Sequence, residues 1–230
     1  SDAELSMYNS MWKNQKNYFT GDSANENWLA VADVSGSMCS CNGRPMDPAV
    51  GLAMYFAERN RGAFQNMFMT FSENPAFVRI KGESLSEKLD SIRKADWGMN
   101  TDLKKALDKI LKLSVDHHVA NEDMPRALLI ISDMEFDACQ NYGKNYYYLD
   151  YMKKEYENAG YTMPVVIFWN VNARYNHIHA NKESKGVILV SGSAASTFES
   201  LLTVLKNENV DPLCYLYQVL DDGRYDPVAI

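Results

Sequence analysis

Oxygen-bearing side chains alternate directly after an apolar run in the first fifth of the chain. Asp33, Ser35 and Ser37 stand at every second position, so an extended turn can aim their oxygens at one point. Gly36 would let the backbone pass close to that point. A carboxylate with two hydroxyls is a hard, oxygen-only donor set, which suits Mg²⁺ or Mn²⁺, with Ca²⁺ as a further candidate, and does not suit zinc.

Two later segments carry oxygen donors in similar positions. Thr101 lies in the segment G-M-N-T-D at the start of a predicted helix, and Asp133 follows a fully apolar run. Ligands of open α/β sheets bind outside the carboxyl ends of the strands, so we expect the five side chains to converge there. The alternative is that Asp33 and Asp133 only cap loops while the serines satisfy backbone groups. Five positions in a consistent context favour the metal site.

The elements that must position these side chains follow an alternating pattern of strands and helices. Strands are predicted at 27–33, 64–71, 76–80, 127–132, 165–169 and 187–190, with helices between most of them. The turn 72–75 joins two of the strands in a hairpin. This pattern predicts one α/β domain, doubly wound and Rossmann-like, with a mostly parallel six-stranded sheet and helices on both faces.

Local signals predict where the helices begin and end. Asp47 is expected to be an N-cap with Pro48 at the first helical position, and Gly62 is expected to end that helix. Ser84 and Glu87 form a capping box. Thr101 is expected to open the following helix, whose apolar face contains Leu103, Ala106, Leu107, Ile110 and Leu113.

Composition excludes several classes of protein. The chain has 230 residues, 23 Lys and Arg against 30 Asp and Glu, and a net charge of −7. This acidic balance argues against direct binding of nucleic acid or of an anionic membrane, and no apolar run reaches the roughly 18 residues of a membrane span. Four cysteines are too few for a disulfide framework, so we expect reduced thiols and a cytoplasmic protein. A redox function for Cys39, Cys41 and Cys139 is the less favoured alternative.

The domain boundaries follow from the same pass along the chain. Residues 1–26 are polar and are interpreted as an N-terminal strap or as a fragment of an upstream region. Residues 27–230 are interpreted as a single domain that ends in a helix and tail. The chain begins with Ser1 rather than Met, which favours a processed product or an excised fragment.

The five oxygen donors resemble the metal-ion-dependent adhesion site of von Willebrand factor A (vWA) domains. That pattern is D-x-S-x-S, then a distant Thr, then a distant Asp, and Asp33, Ser35, Ser37, Thr101 and Asp133 match it. The segment I-S-D-M-E-F-D (residues 131–137) is most similar to the C-terminal vWA domain of an uncharacterised family of bacteria, plants and viruses, and more distantly to Ro-type (TROVE) ribonucleoproteins. The resemblance implies the vWA fold, with one antiparallel edge strand, and a helical region upstream of it.

The same resemblance implies different roles for the five residues of the site. Ser35 and Ser37 would ligate the ion directly, while Asp33 and Asp133 would act largely through waters or exchange with Thr101. The implied function is a protein-binding module, not an enzyme, in which the ion bridges to a Glu or Asp of a partner protein or of the chain's own upstream helical region.

Two alternatives stay open at this point. A Mg²⁺-dependent phosphohydrolase would use Asp33 as nucleophile, but such enzymes place a second Asp where Ser35 stands, and the common catalytic motifs are missing from the sequence. A scaffold associated with ribonucleoproteins, as in Ro proteins, is the other. His177 with His179 form too small a set for a soft-metal site. The tyrosines between Tyr142 and Tyr151 could line the rim of a partner-binding surface.

Overall fold

The computed structural model describes residues 2–21, 24, 26–39, 45–72, 74–93, 102–133, 145–172, 187–193, 197–198 and 201–202. Only the backbone is described for 145–148 and 187. The helices are α1 (Asp2–Lys13), α2 (Met46–Ala57), α3 (Leu85–Arg93), α4 (Leu103–Asp116) and α5 (Asn145–Asn158). The strands are β1 (Asn27–Asp33), β2 (Met67–Phe71), β3 (Phe77–Arg79), β4 (Pro125–Ser132), β5 (Val165–Asn170) and β6 (Val187–Ser191).

The strands form one six-stranded sheet in the order β3-β2-β1-β4-β5-β6. All neighbours are parallel except β2 and β3, which form the antiparallel hairpin at one edge. Strand order runs outward from β1 in both directions, as in doubly wound folds. The predicted fold class, including the antiparallel edge strand, is confirmed.

Alternating side chains of β1 supply a hydrophobic core on each face of the sheet. Trp28, Ala30 and Ala32 pack into the core that contains α2, whereas Leu29 and Val31 pack into the core beneath α4 and α5. A strand buried on both faces has a continuously apolar sequence, which explains why β1 and β4 were recognisable as uninterrupted apolar runs. Among the described residues, no helix is both long and apolar enough to cross a membrane.

The N-terminal segment packs against this domain. Asn9 accepts a hydrogen bond from the N–H of Leu85 at 2.6 Å, and the indole of Trp12 donates to Glu58 at 3.0 Å. Phe19 is 5% exposed and belongs to the core on the α2 face. The interpretation of residues 1–26 as a strap or upstream fragment stays a prediction, as does the boundary at residue 27.

Some predicted helix and strand ends are wrong. The second helix begins at Met46 with Pro45 before it, so Asp47 and Pro48 lie inside its first turn. Proline is accepted there because first-turn N–H groups have no partner within the helix. The helix ends at Ala57, and Gly62 instead begins a 3₁₀ turn with φ +57°, where a Cβ would lie 2.6 Å from the carboxyl carbon of Asp123. That turn delays β2 to Met67.

The capping box at the start of α3 is confirmed. The N–H of Glu87 donates to the Ser84 hydroxyl at 3.2 Å, and the Glu87 carboxylate accepts from the N–H groups of Ser84 and Glu83 at 3.0 and 2.9 Å. These backbone hydrogen bonds, first from Ser84 and then from Glu83, lower the pKa of Glu87 below its ordinary value of 4.5.

A Glu87→Gln variant is therefore expected to be less stable than the wild type at pH 7. Because the pKa of Glu87 is lower in the folded state, its contribution is complete above about pH 4.5 and is lost as the pH falls through the folded-state pKa. Urea unfolding of both proteins between pH 7 and pH 3 measures the difference. Glu83→Gln is the control, because Glu83 takes part in the capping box through its backbone N–H, which the substitution retains. If the difference in unfolding free energy between the wild type and Glu87→Gln does not change with pH, the expected contribution of the Glu87 charge is contradicted.

Candidate metal centre

The carboxyl end of β1 leads into a short, anchored loop. Asp33 is the last residue of β1 and is fully buried, and Ser35 is 9% exposed. A 3₁₀ turn, Gly36–Cys39, follows instead of the predicted extended turn. The N–H of Met38 donates to the carbonyl of Ser35 at 3.1 Å, and its fully buried side chain holds the turn against the core.

Gly36 begins the 3₁₀ turn at the exposed surface of the loop. A Cβ built on it would meet no described atom within 4 Å, so the described part of the protein does not itself require glycine here. Close approach of the backbone to a bound ion stays a prediction. The exposed position of Gly36 leaves the loop surface beside Ser37 uncovered by a side chain.

Two serine hydroxyls and one carboxylate meet at this edge of the sheet. The Oγ atoms of Ser35 and Ser37 lie 3.0 Å apart, and Ser37 Oγ donates to Asp133 Oδ1 at 3.4 Å. Asp133 comes directly after β4, which is paired with β1. Ser37 is only partly buried whereas Ser35 is buried, so Ser37 is the member of the pair closer to solvent.

Asp33 lies beneath this pair and is held at both carboxylate oxygens. Oδ1 accepts the N–H of Ser35 at 2.9 Å, and Oδ2 accepts the hydroxyl of Ser132 at 2.5 Å. Burial raises the pKa of Asp33 above its ordinary value, the hydrogen bonds from Ser132 and Ser35 oppose that rise, and the nearby charge of Asp133 adds to it. The Asp33 carboxylate therefore anchors the Ser35 loop to the end of β4.

Ser132 is a site residue that the sequence analysis did not select. It is the last residue of β4, one position beyond the pair Ala32 and Ile131, so it lies beside Asp33. The signal was a hydroxyl directly before Asp133 at a strand end, but only the sheet register shows that it contacts Asp33.

Six of the remaining predicted residues lie outside the described residues: Thr101, Cys41, Cys139, His177, His179 and Tyr142. The helix predicted to open at Thr101 begins at Leu103, with Asp102 as its N-cap accepting the N–H of Lys105 at 3.0 Å. Cys39 is a free, exposed thiol, and Tyr151 is 52% exposed. The cytoplasmic compartment stays a prediction.

The donor chemistry fits a hard divalent cation. In the described part of the chain, no group of three or more His, Cys, Asp or Glu side chains is arranged to hold a metal ion. The edge of the sheet instead offers the hydroxyl oxygens of Ser35 and Ser37, which are in contact with each other. The carboxylate of Asp133 contacts Ser37, and the carboxylate of Asp33 contacts the backbone of Ser35. Such an oxygen set is compatible with Mg²⁺ or Mn²⁺ and unsuited to soft metals.

Similar solved structures share the fold. The Ro (RSR) protein of Deinococcus radiodurans aligns with a TM-score of 0.55 and 16% identity, over 86% of this chain and 37% of that chain. Proximal thread matrix protein 1 from the mussel byssus aligns with a TM-score of 0.50 and 13% identity, over 80% and 47%. The SpRpn10 VWA domain aligns with a TM-score of 0.42 and 14% identity, over 77% and 93%. At these identities the likeness concerns the fold alone, which is a mostly parallel six-stranded sheet with helices around it.

Sequence comparison finds a longer viral relative. The chain is 31% identical over 222 residues to Uncharacterized protein L728 of Acanthamoeba polyphaga mimivirus. The match covers 96% of this chain and 38% of that relative, so the chain spans well under half of its length. A family model, described as a domain of unknown function, matches residues 27–214. This match includes the whole sheet and all five predicted site positions, and the chain therefore belongs to the DUF7788 family.

Proposed function

We propose that this domain is a metal-dependent protein-binding module. A Mg²⁺ or Mn²⁺ ion would be held by Ser35 and Ser37, with Asp33, Asp133 and Thr101 in support. It would bridge to a Glu or Asp carboxylate of a partner. The observation that carries the proposal is the Ser35–Ser37 hydroxyl pair, 3.0 Å apart and in contact with Asp133 at the carboxyl edge of the sheet.

The hydrogen bonds of Asp33 support a site in which the ion binds a carboxylate of another chain. Both of its oxygens already accept hydrogen bonds from the protein, so direct ligation of the ion falls to the two hydroxyls and to Asp133 more than to Asp33. An ion with few direct carboxylate ligands keeps much of its positive charge. A carboxylate from another chain is the ligand that best complements such an ion.

The same contacts disfavour the phosphohydrolase alternative. A nucleophilic carboxylate needs an oxygen that can approach phosphorus, whereas Asp33 is fully buried and held at both oxygens by Ser35 and Ser132. The ribonucleoprotein scaffold has weaker support, since it rests on a fold likeness at 16% identity. We therefore propose no enzymatic activity and no direct binding of nucleic acid or membrane by this domain.

The partner carboxylate has two proposed sources. One is a loop of a separate protein, and the other is the helical region that the resemblance places upstream in the same polypeptide. The chain corresponds to 38% of its mimivirus relative, so a full-length protein of that kind contains ample sequence for an internal ligand. Both sources predict the same dependence on the divalent ion.

Partner capture is expected to require the metal. Immobilised domain is incubated with lysate of the source cells in Mg²⁺ or in EDTA, and bound proteins are quantified by mass spectrometry. The double variant Ser35→Ala with Ser37→Ala should lose in Mg²⁺ the same proteins that EDTA removes from the wild type. Ser6→Ala with Ser10→Ala, two exposed serines of α1, is the matched control. Recovery of the same partners in all conditions would contradict the proposal.

A further inference from the structure

The outer side of β3 borders a groove about 880 Å³ in volume. The strand is one edge of the sheet and has β2 on its other side. The near wall is formed by residues 76–79, and the far wall by the loop 81–83 with Glu87, Asp90 and Ser91 of α3. The chain is described without interruption from 74 to 93, so both walls are defined.

Alternate backbone groups of β3, which line the groove at residues 76–79, point away from β2. Its flanking residues bond to the β2 side: the carbonyl of Ala76 accepts a hydrogen bond at 2.9 Å, and the N–H of Ile80 donates one at 2.8 Å. In an antiparallel ladder, only alternate residues direct their N–H and C=O groups to the partner strand. Phe77 and Arg79 occupy the intervening positions, so their backbone groups point outward. They form a template for another strand.

The far wall is held in place against α3. The Ser91 hydroxyl accepts the N–H of Lys81 at 3.1 Å and donates to the carbonyl of Lys88 at 2.7 Å. Gly82 has φ +110°, and a Cβ on it would lie 2.4 Å from the Cβ of Glu87. Only glycine permits this approach, which fixes the loop against the helix. The groove is therefore built into the fold.

The charges of the groove are unequal on its two sides. The far wall contains the carboxylates of Glu83, Glu87 and Asp90, of which Asp90 forms an exposed ion pair on its own helix. On the strand side, hydrogen bonds turn the guanidinium of Arg79 back toward the start of β2. Lys81 is the one cation of the far wall's lining, where three carboxylates outnumber it. The far wall thus favours a ligand with basic side chains.

We propose that this groove binds an extended segment of a partner polypeptide by strand addition to β3, with Lys or Arg of the segment facing the carboxylates of α3. The bound segment pairs with the outward backbone groups of Phe77 and Arg79. Its basic side chains reach Glu83 and Asp90. Because β3 lies two strands away from β1, binding does not depend on the divalent ion. This separates the inference from the proposed metal-dependent function.

The probe is a random heptapeptide library displayed on phage, selected against the domain in EDTA. The most enriched peptide is then made with a fluorescein label and titrated by fluorescence polarisation. Enriched sequences are expected to contain β-branched or aromatic residues together with Lys or Arg. The double variant Glu83→Gln with Asp90→Asn should bind the labelled peptide several-fold more weakly.

Arg79→Pro tests the backbone template directly. It removes the outward N–H and leaves the N–H groups that face β2, a position where edge strands accept proline. Arg79→Ala is the matched control, because it removes the same side chain and keeps the N–H. The proline variant should bind about tenfold more weakly than the alanine variant. Circular dichroism and thermal melting check that both variants are folded.

A ligand-side experiment makes the test independent of any protein variant. Each amide of the labelled peptide is N-methylated in turn, and strand addition predicts that affinity falls at every second position. Failure of the library to enrich any peptide overturns the inference. So does equal binding by the two Arg79 variants, or an N-methylation profile without the two-residue period.

Discussion

Isothermal titration with MgCl₂ or MnCl₂ is expected to show saturable binding by the wild-type domain and about 100-fold weaker binding by an Asp33→Ala variant. The alanine removes the acceptor for the N–H of Ser35 and for the hydroxyl of Ser132. The hydroxyl pair of Ser35 and Ser37 then loses its support and the negative charge beneath it. Carboxylates that orient metal ligands in this way typically contribute one to two orders of magnitude in affinity.

An Asp33→Asn variant separates the two contributions of this residue. Its amide oxygen can still accept the N–H of Ser35, but the side chain has no negative charge. We expect its affinity for Mg²⁺ to lie between those of the wild type and Asp33→Ala. Equal affinity in all three proteins would exclude the site. If the wild type hydrolyses p-nitrophenyl phosphate in Mg²⁺ and Asp33→Ala does not, the phosphohydrolase alternative replaces the binding module.

A Phe19→Ala variant is expected to lose about 3–5 kcal/mol of unfolding free energy. The Phe19 ring lies 4.7 Å from that of Phe198, 5.8 Å from Phe56 and 6.5 Å from Trp28. Removing it leaves a cavity among three aromatic rings, which cannot easily close because Trp28 belongs to β1 and Phe56 to α2. Urea unfolding followed by tryptophan fluorescence measures the loss.

Met7→Ala is the control for this measurement. Met7 lies on α1 in the same N-terminal segment but is 51% exposed, so its replacement should change stability by no more than about 0.5 kcal/mol. A loss below about 1 kcal/mol for Phe19→Ala would show that the segment before residue 27 does not unfold cooperatively with the sheet. Such a result would favour its interpretation as a separate strap.

Much of the fold could be predicted because its central strands are buried on both faces. Residues 27–33 form β1 with the predicted bounds, since an uninterrupted apolar run has few other stable conformations in a domain of this kind. The β2–β3 hairpin and the capping box of α3 were also predicted, because each depends on residues close together in sequence. By contrast, Asp47 and Pro48 are compatible with several positions in a first turn, and only packing selects one.

The sequence by itself determined the alternation of strands and helices, and with it the carboxyl edge where Asp33, Ser35, Ser37 and Asp133 lie. Spacing along one strand and its loop is a local property, so it can be read directly from the chain. Only the tertiary structure decided that Ser132 donates to Asp33 and that Phe19 enters the core. It also decided that the outer edge of β3 faces a groove. These features depend on register and packing between segments far apart in the chain, because a hydrogen bond or a ring contact at such separation exists only once the sheet has formed.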